Sequence, residues 1–199
     1  MKQDYFENNQ DGVATLGIES LRPRQTFGLE ELGLLETTPL KSIDTIVRLF
    51  NATIQVSTVS FIVFDDRSAS MVVRSVQSNV DRRTGWISRG NSTSLCSVVR
   101  DHVGPVSIND LSSREDLTGA IERRRYGAVS YLGAPVFGPH GEVAGVLAAM
   151  TSVVHCWSRR ERELVSDHAF LLSEQIMLGA ALQTLKLLSR ERTAFSAIN

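Results

Sequence analysis

The chain is poor in the residues that build disulfide frameworks and metal sites. It contains two cysteines, Cys96 and Cys156, which are too few for a disulfide framework. These cysteines also lack the paired spacing of tetrahedral zinc ligands, and the adjacent His155 and Cys156 cannot readily reach one ion. We therefore expect no disulfide and assign no metal ligand among the cysteines and the four histidines.

Long apolar runs and an excess of one charge are also missing. No apolar run reaches the roughly 18 residues that a membrane span needs. Residues 1–9 are polar and acidic and lack the apolar core of a signal peptide. The net charge is −1, so no overall field attracts nucleic acid or an anionic membrane. We expect a cytoplasmic protein that neither inserts into a membrane nor binds nucleic acid.

The first third of the chain alternates between helical and strand-forming segments. Residues 1–27 show weak periodicity and predict an irregular arm. Leucines between Leu29 and Leu35 predict a short helix that stops before Pro39, since the residue preceding a proline avoids the helical region. Apolar residues at three- and four-residue steps from Leu40 to Phe50 predict an amphipathic helix. β-Branched and aromatic residues over 57–64 and 71–76 then predict a hairpin.

The middle of the chain predicts short elements around a loop. Residues 77–93 are polar and predict a loop with a short strand near Gly85. A helix capped by Ser92 or Ser94 is predicted over Leu95–His102. A strand is predicted over 106–108 and a charged helix over Arg114–Tyr126.

The last third predicts a hairpin followed by a long helix. Residues 130–150 form two arms rich in Ala, Gly and Val around a turn at Pro139–Glu142, which suits two covered strands. Ser158 and Glu161 have the spacing of a capping box and predict the start of the long helix. Hairpins at both ends of this order predict an α+β fold, with helices packed on a mostly antiparallel sheet.

Several segments of the chain resemble a GAF domain between Leu29 and Leu172. Their residues are Leu32-Gly33-Leu34-Leu35-Glu36-Thr37-Thr38-Pro39, Ser94-Leu95-Cys96-Ser97-Val98-Val99, Pro105-Val106-Ser107-Ile108-Asn109-Asp110-Leu111, Tyr131-Leu132-Gly133-Ala134-Pro135-Val136, Val143-Ala144-Gly145-Val146-Leu147 and Trp157-Ser158 with Glu161 and Leu164. The resemblance implies a PAS-related six-stranded antiparallel sheet with a pocket on one face and terminal helices on the other. It divides the chain into an arm (1–27), a GAF sensor domain (28–157) and a C-terminal signalling and dimerisation helix (158–199).

The resemblance places a small-molecule pocket between the sheet and residues 85–130. Tyrosine and tryptophan suit such a pocket because they combine an apolar ring with one polar group. The alternative is that these rings fill a closed core. The side chains that we expect to bind a ligand are Arg74, Trp86, Leu95, Cys96, Asp110, Tyr126 and Tyr131.

The ligand itself is unknown from the sequence. In bilin-binding relatives a cysteine in this region holds a linear tetrapyrrole and a histidine usually follows it, whereas Ser97 follows Cys96 here. This departure disfavours a covalent bilin and leaves Cys96 as a buried apolar residue or a redox-sensing thiol. The residue set of cyclic-nucleotide-binding GAF domains is not found in order. The run Arg123–Arg125 suits either an anion site or a solvated helix face.

We expect no enzymatic activity within these residues. No pair of nucleophile and base can be defended, and no glycine-rich phosphate loop follows a strand. One enzyme among GAF proteins, a methionine sulfoxide reductase, needs several closely arranged cysteines, and Cys96 with Cys156 does not reproduce that set.

The terminal helix carries a leucine pattern that predicts a coiled coil. An adjacent stripe, Leu172 and Ile176, suits packing on the sheet. The coiled-coil seam has steps of seven, four and three residues and consists of Leu164, Leu171, Leu178, Leu182 and Leu185. We therefore expect a parallel homodimer whose helices carry a signal to a downstream effector. The alternative is a terminal helix that packs only on its own sheet.

The function predicted from the sequence is regulatory. Residues 190–199 resemble the segment before the phospho-accepting histidine of sensor kinases, although that histidine is absent. The chain is then either the sensory fragment of a longer two-component histidine kinase or a complete small protein that docks a partner. We expect a module that binds a small ligand or senses redox state. A ligand-free interaction and dimerisation scaffold is the alternative.

Overall fold

A computed structural model describes residues 28–36, 38–89 and 93–196, without the side chains of 86–89 and 191–196. The predicted arm, residues 1–27, lies outside this description. Within it, six antiparallel strands form one sheet in the order β3-β2-β1-β6-β5-β4. The strands are β1 (Thr58–Asp65), β2 (Ser70–Ser78), β3 (Gly85–Arg89), β4 (Val106–Ile108), β5 (Ser130–Phe137) and β6 (Val143–Thr151). The predicted α+β fold and its hairpins are therefore confirmed.

Helices cover both faces of the sheet. They are α1 (Lys41–Ile54), α2 (Leu95–His102), α3 (Ile121–Tyr126) and α4 (Arg159–Ser196). One core lies between the sheet and α1 with α4, and we call this side the α4 face. A second core lies between the sheet and α2 with α3, and we call this side the α2 face. Since both faces are covered, the strands are nearly continuously buried, in keeping with their apolar sequences.

Two helices predicted from the sequence are wrong. Residues 29–33 form a turn rather than a helix, because Gly33 adopts a positive φ of 68° that helical propagation does not allow. The predicted helix over Arg114–Tyr126 contains only α3 at its end, preceded by two 3₁₀ turns at Leu111–Ser113 and Glu115–Leu117. Ala120 has an extended ψ of 138° that separates the second turn from α3, so no continuous helix forms.

The terminal helix α4 begins where the sequence predicts. Ser158 Oγ accepts a hydrogen bond from the Glu161 backbone N–H at 3.2 Å, and the Glu161 carboxylate accepts one from the Ser158 N–H at 2.7 Å. This is the reciprocal capping box. Leu172 and Ile176 are buried in the α4-face core, as their stripe predicts. Within the described residues, no helix combines the length and apolarity needed to cross a bilayer.

The start of α4 is tied to the edge strand β4. The Trp157 indole N–H donates to the Ile108 carbonyl at 3.2 Å, and the Trp157 backbone N–H donates to Asn109 Oδ1 at 3.2 Å. The His155 N–H donates to the Asn109 carbonyl at 3.2 Å. The segment between β6 and α4 is therefore hydrogen-bonded to the end of β4, so the positions of β4 and of the first turn of α4 depend on each other.

Candidate functional site

A buried thiol and a buried phenol meet on the α2 face of the sheet. Cys96 lies in the first turn of α2, Tyr131 lies in β5, and neither side chain is exposed. The Tyr131 hydroxyl donates to Cys96 Sγ at 3.6 Å. Burial raises the pKa of the Cys96 thiol, and the nearby Glu122 charge raises that pKa further. Cys96 is therefore protonated at neutral pH, and the expectation of a buried residue is confirmed.

The carboxylate of Glu122 caps α2 from a distance. Glu122 is fully buried on α3. Its carboxylate accepts hydrogen bonds from the Leu95 N–H at 2.9 Å, the Cys96 N–H at 3.3 Å and the Ser94 hydroxyl at 2.5 Å. The Ser94 hydroxyl accepts from the Cys96 N–H in turn, which selects Ser94 over Ser92 as the cap. A negative charge at this helix end also complements the helix dipole. Sequence reasoning missed Glu122, which sits in a charged run without a motif.

Two buried hydroxyls on this face have no hydrogen-bond partner in the described part of the chain. They are Ser60 Oγ in β1 and the Tyr126 hydroxyl in α3. Ser60 lies opposite Val76 of β2 and Ala148 of β6, which both belong to the α2-face core. Burial raises the pKa of Tyr126 to about 12. Unpaired buried hydroxyls are rare in native proteins, so each of these two requires an explanation.

The structure brings together four of the seven predicted ligand-binding residues. These four share the buried α2-face core and are Leu95, Cys96, Tyr126 and Tyr131. Trp86 lies in β3 opposite Val72, and its side chain is outside the described part. Arg74 and Asp110 lie elsewhere.

Arg74 lies on the α4 face, away from this cluster. Ser75 pairs with Phe61 and Val73 with Ile62, so Arg74 is the extra residue of a β-bulge. A bulge changes the direction of a side chain. The Arg74 guanidinium therefore points to the α4 face, where it donates to the Thr38 carbonyl. Burial lowers the pKa of Arg74, which is otherwise raised by nearby acidic side chains. The strand pattern alone does not reveal the bulge.

Asp110 lies at the surface rather than in the cluster. Its carboxylate accepts a hydrogen bond from the Ser112 N–H at 2.8 Å and caps the first 3₁₀ turn. This hydrogen bond lowers the pKa of Asp110. The residue is therefore engaged in local backbone capping.

Arginines of α3 bind carbonyl and carboxylate groups of the protein itself. The Arg125 Nε–H donates to Asp81 Oδ2 at 2.8 Å, and Arg83 donates to both oxygens of the same carboxylate at 3.0 Å. These hydrogen bonds hold the pKa of Asp81 well below its usual range, with Arg83 as the main cause. Arg123 donates to the Leu111 carbonyl at 3.1 Å. The predicted anion site and the predicted solvated face both fail to describe Arg123 and Arg125.

A protein-family model matches most of this chain. The model of the GAF domain matches residues 38–176. The chain belongs to the GAF domain family. The match spans the sheet, the α2-face cluster and the first half of α4, so the resemblance seen in the sequence is confirmed. GAF domains are typically sensory or regulatory modules.

Solved structures similar to this GAF domain are distant in sequence. The GAF domain of an Acinetobacter phosphoenolpyruvate-protein phosphotransferase has a TM-score of 0.59 and 20% identity, covering 78% of this chain and 94% of that chain. A domain assigned to a two-component sensor histidine kinase of Sinorhizobium meliloti 1021 has a TM-score of 0.56 and 14% identity, covering 72% and 94%. The free methionine-R-sulfoxide reductase of Neisseria meningitidis has a TM-score of 0.56 and 16% identity, covering 71% and 78%.

These similarities establish the fold of the GAF domain alone. A search of curated proteins gave no match. Because the similar structures include both a sensor kinase domain and an enzyme, they do not decide between regulation and catalysis. Only the side chains of this chain can distinguish these two functions.

Other features of the GAF domain lie outside the cluster. Among the described residues, no three His, Cys, Asp or Glu side chains are placed to hold a metal ion. A pocket of about 210 Å³ lies between α4, β5 and the turn after α2, where Phe170, Phe137 and Pro105 line it. Cys156 is a free, exposed cysteine before α4. None of these features adjoins the Cys96–Tyr131 pair.

Proposed function

We propose that this GAF domain is a non-catalytic sensor that binds a small ligand on the α2 face and signals through α4. The observation that carries the proposal is the pair of buried, unpartnered hydroxyls of Ser60 and Tyr126. Each unpaired buried hydroxyl is unfavourable by about 1–3 kcal/mol. A ligand that donates and accepts hydrogen bonds would offset this cost by pairing with the two hydroxyls. The side chains around them are mostly apolar, as in other small-molecule sites.

The chemistry of the cluster favours an uncharged ligand. The Glu122 carboxylate is already satisfied by the end of α2. Burial raises the pKa values of Cys96 and Tyr131, so both groups are neutral. We therefore propose a small, neutral molecule with at least one hydroxyl, carbonyl or amide group, and no covalent bilin.

The proposed output is the terminal helix. Hydrogen bonds from Trp157 and His155 join its start to β4, and Ile108 of β4 belongs to the α2-face core. We propose that a homodimer of α4 helices passes the signal to a cytoplasmic effector. A histidine kinase is the effector we favour, because a similar fold occurs in a sensor histidine kinase domain.

A redox function is less well supported. The thiolate is the reactive form of cysteine, and reactive cysteines occupy exposed, electropositive sites. Cys96 is fully buried beside an acidic side chain, which raises its pKa.

A ligand-free scaffold is the second candidate. Its support is the close packing around the cluster, where Leu95, Cys96 and Tyr131 have no exposed surface. In that case the α2 face is a filled core, and the protein acts by binding a partner or a second copy through the apolar surface of α4.

Native mass spectrometry of freshly purified protein distinguishes these candidates. We expect a mass above that of the chain, from a small molecule that denaturation releases. Ser60→Ala should weaken its retention, whereas Ser107→Ala, at an exposed position of β4, should not. A chain mass without addition, together with no shift in thermal unfolding across a library of neutral metabolites, supports the scaffold instead.

A further inference from the structure

We propose that α3 is a latch that closes access to the buried α2-face cluster, held shut by the contact between Arg125 and Asp81. The two residues lie in different segments, since Asp81 belongs to the loop between β2 and β3. This inference goes beyond ligand binding, because it concerns how the interior opens whether or not a ligand occupies it.

The helix α3 joins three separate segments through polar contacts. Arg125 binds Asp81 and also donates to the Arg83 carbonyl at 2.5 Å, both in the β2–β3 loop. Arg123 binds the Leu111 carbonyl after β4, and Glu122 caps α2. The cover of the α2 face therefore holds together only while α3 is in place.

The helix has little stability of its own. It has six residues, far below the length at which an isolated helix persists. Glu122 and Tyr126 are its only buried residues, and Gly127 ends it with a positive φ of 66°. Its apolar packing is confined to Tyr126 and the partly buried Ile121, which contact the α2-face core. Segments with few packing contacts open locally more often than the whole protein unfolds.

The Tyr126 hydroxyl favours opening, whereas the polar contacts of Glu122, Arg123 and Arg125 oppose it. The Tyr126 hydroxyl has no partner in the described part of the closed structure and would gain water on opening. The Arg125 and Asp81 side chains are only 16% and 10% exposed, so separating them is more costly than separating a surface pair. The Arg125–Asp81 contact therefore adds to the Glu122 hydrogen bonds that hold α3 on α2, and weakening it makes α3 open more often.

Cys96 is a built-in reporter of this opening. Its backbone N–H donates a hydrogen bond to the Glu122 carboxylate of α3, and its side chain is fully buried. In a Cys156→Ser background it is the only thiol, since the chain has two cysteines. The experiment measures its rate of alkylation by iodoacetamide in the folded protein, at several low urea concentrations.

The test variant is Asp81→Asn. Asparagine keeps the acceptor that receives the Arg83 N–H in the loop turn but removes the charge that Arg125 and the exposed Arg83 side chain both bind. We expect Cys96 alkylation to become about tenfold faster, the effect of losing a hydrogen bond to a charged group, with a weak urea dependence that marks local opening. The matched control is Arg124→Gln on the same helix, where the side chain is exposed, and its rate should stay unchanged.

A second variant should change the alkylation rate of Cys96 in the opposite direction. Tyr126→Phe removes the unpartnered hydroxyl, so the closed state gains stability and alkylation should become several-fold slower. The proposal is overturned if Cys96 reacts only with the urea dependence of global unfolding, or if Asp81→Asn and Arg124→Gln give equal rates. All rates are measured on protein that has been refolded from denaturant and is therefore free of ligand, so failure of the latch and failure of the sensor function are separable.

Discussion

At the scale of single residues, the buried carboxylate of Glu122 shows how this fold accepts an interior charge. A buried carboxylate is strongly unfavourable unless hydrogen bonds satisfy it. Two backbone N–H groups at the start of α2 and the Ser94 hydroxyl provide these bonds. Glu122 thereby fixes α3 against α2.

Replacing Glu122 with glutamine should lower the free energy of unfolding by about 1.5–3 kcal/mol, because charge-assisted hydrogen bonds become neutral ones. Urea unfolding monitored by circular dichroism measures the change. Glu115→Gln, at an exposed position nearby, is the control and should have little effect. Equal losses in both variants would contradict the capping role.

The carboxyl of Asp81 gives a pH dependence. Its pKa is depressed in the folded protein by the Arg83 hydrogen bonds and the Arg125 charge. A depressed pKa contributes stability above the unfolded value of about 3.9 and loses it as pH falls toward the folded value. We expect the stability difference between the native protein and Asp81→Asn to be largest near neutral pH and to shrink below about pH 4. A constant difference across this range, in urea titrations at each pH, would show that the Asp81 charge adds no stability.

At the scale of elements, strand β4 connects the α2 face to the start of α4. It has three residues, and its connection to α4 consists of hydrogen bonds at Ile108 and Asn109. Ser130 reinforces this region, since its hydroxyl lies 2.5 Å from the Asn109 carbonyl. A displacement of β4 thus acts directly on the first turn of α4.

Asn109→Ala should weaken this connection without creating a cavity, because Asn109 is exposed. Losing its hydrogen bond to the Trp157 N–H should cost about 0.5–1.5 kcal/mol. Hydrogen exchange should become faster at Trp157 and in the first turn of α4. Asn79→Ala, at an exposed position directly after β2, should leave that exchange unchanged. No change in the Asn109 variant would show that other contacts position α4.

At the scale of the whole molecule, α4 extends beyond the sheet that supports its first half. Leu164 is partly buried against the α4-face core. The other predicted seam residues expose between 49% and 60% of their surface and are Leu171, Leu178, Leu182 and Leu185. Burying an apolar side chain stabilises by about 1.5–3 kcal/mol, enough over these positions to offset an association cost.

We expect a homodimer formed through the exposed leucines of α4. Leu178→Asp combined with Leu185→Asp should give a folded monomer, because neither side chain belongs to the core. Analytical ultracentrifugation measures the mass. Val154→Asp, an exposed apolar position outside α4, should remain a dimer. A dimer that persists in the double variant places the interface elsewhere, and a native protein that sediments as a monomer excludes the dimer.

The sequence alone determined the elements whose signals are local. Helix α1, the β1–β2 hairpin, the Pro139–Glu142 turn and the capping box of α4 each depend on residues a few positions apart. Periodicity and turn chemistry act over that range. The GAF resemblance followed from the same local patterns, whereas the sequence left Cys96 as either a buried residue or a redox-sensing thiol.

The tertiary structure decided which polar side chains meet. Glu122 reaches Ser94 across 28 residues and Arg125 reaches Asp81 across 44, so no local pattern reports these contacts. Arg74 lies on the α4 face because the bulge between β1 and β2 re-aims it, and a bulge depends on strand pairing rather than on composition. Local sequence therefore set the elements, whereas only their packing could bring distant charges together.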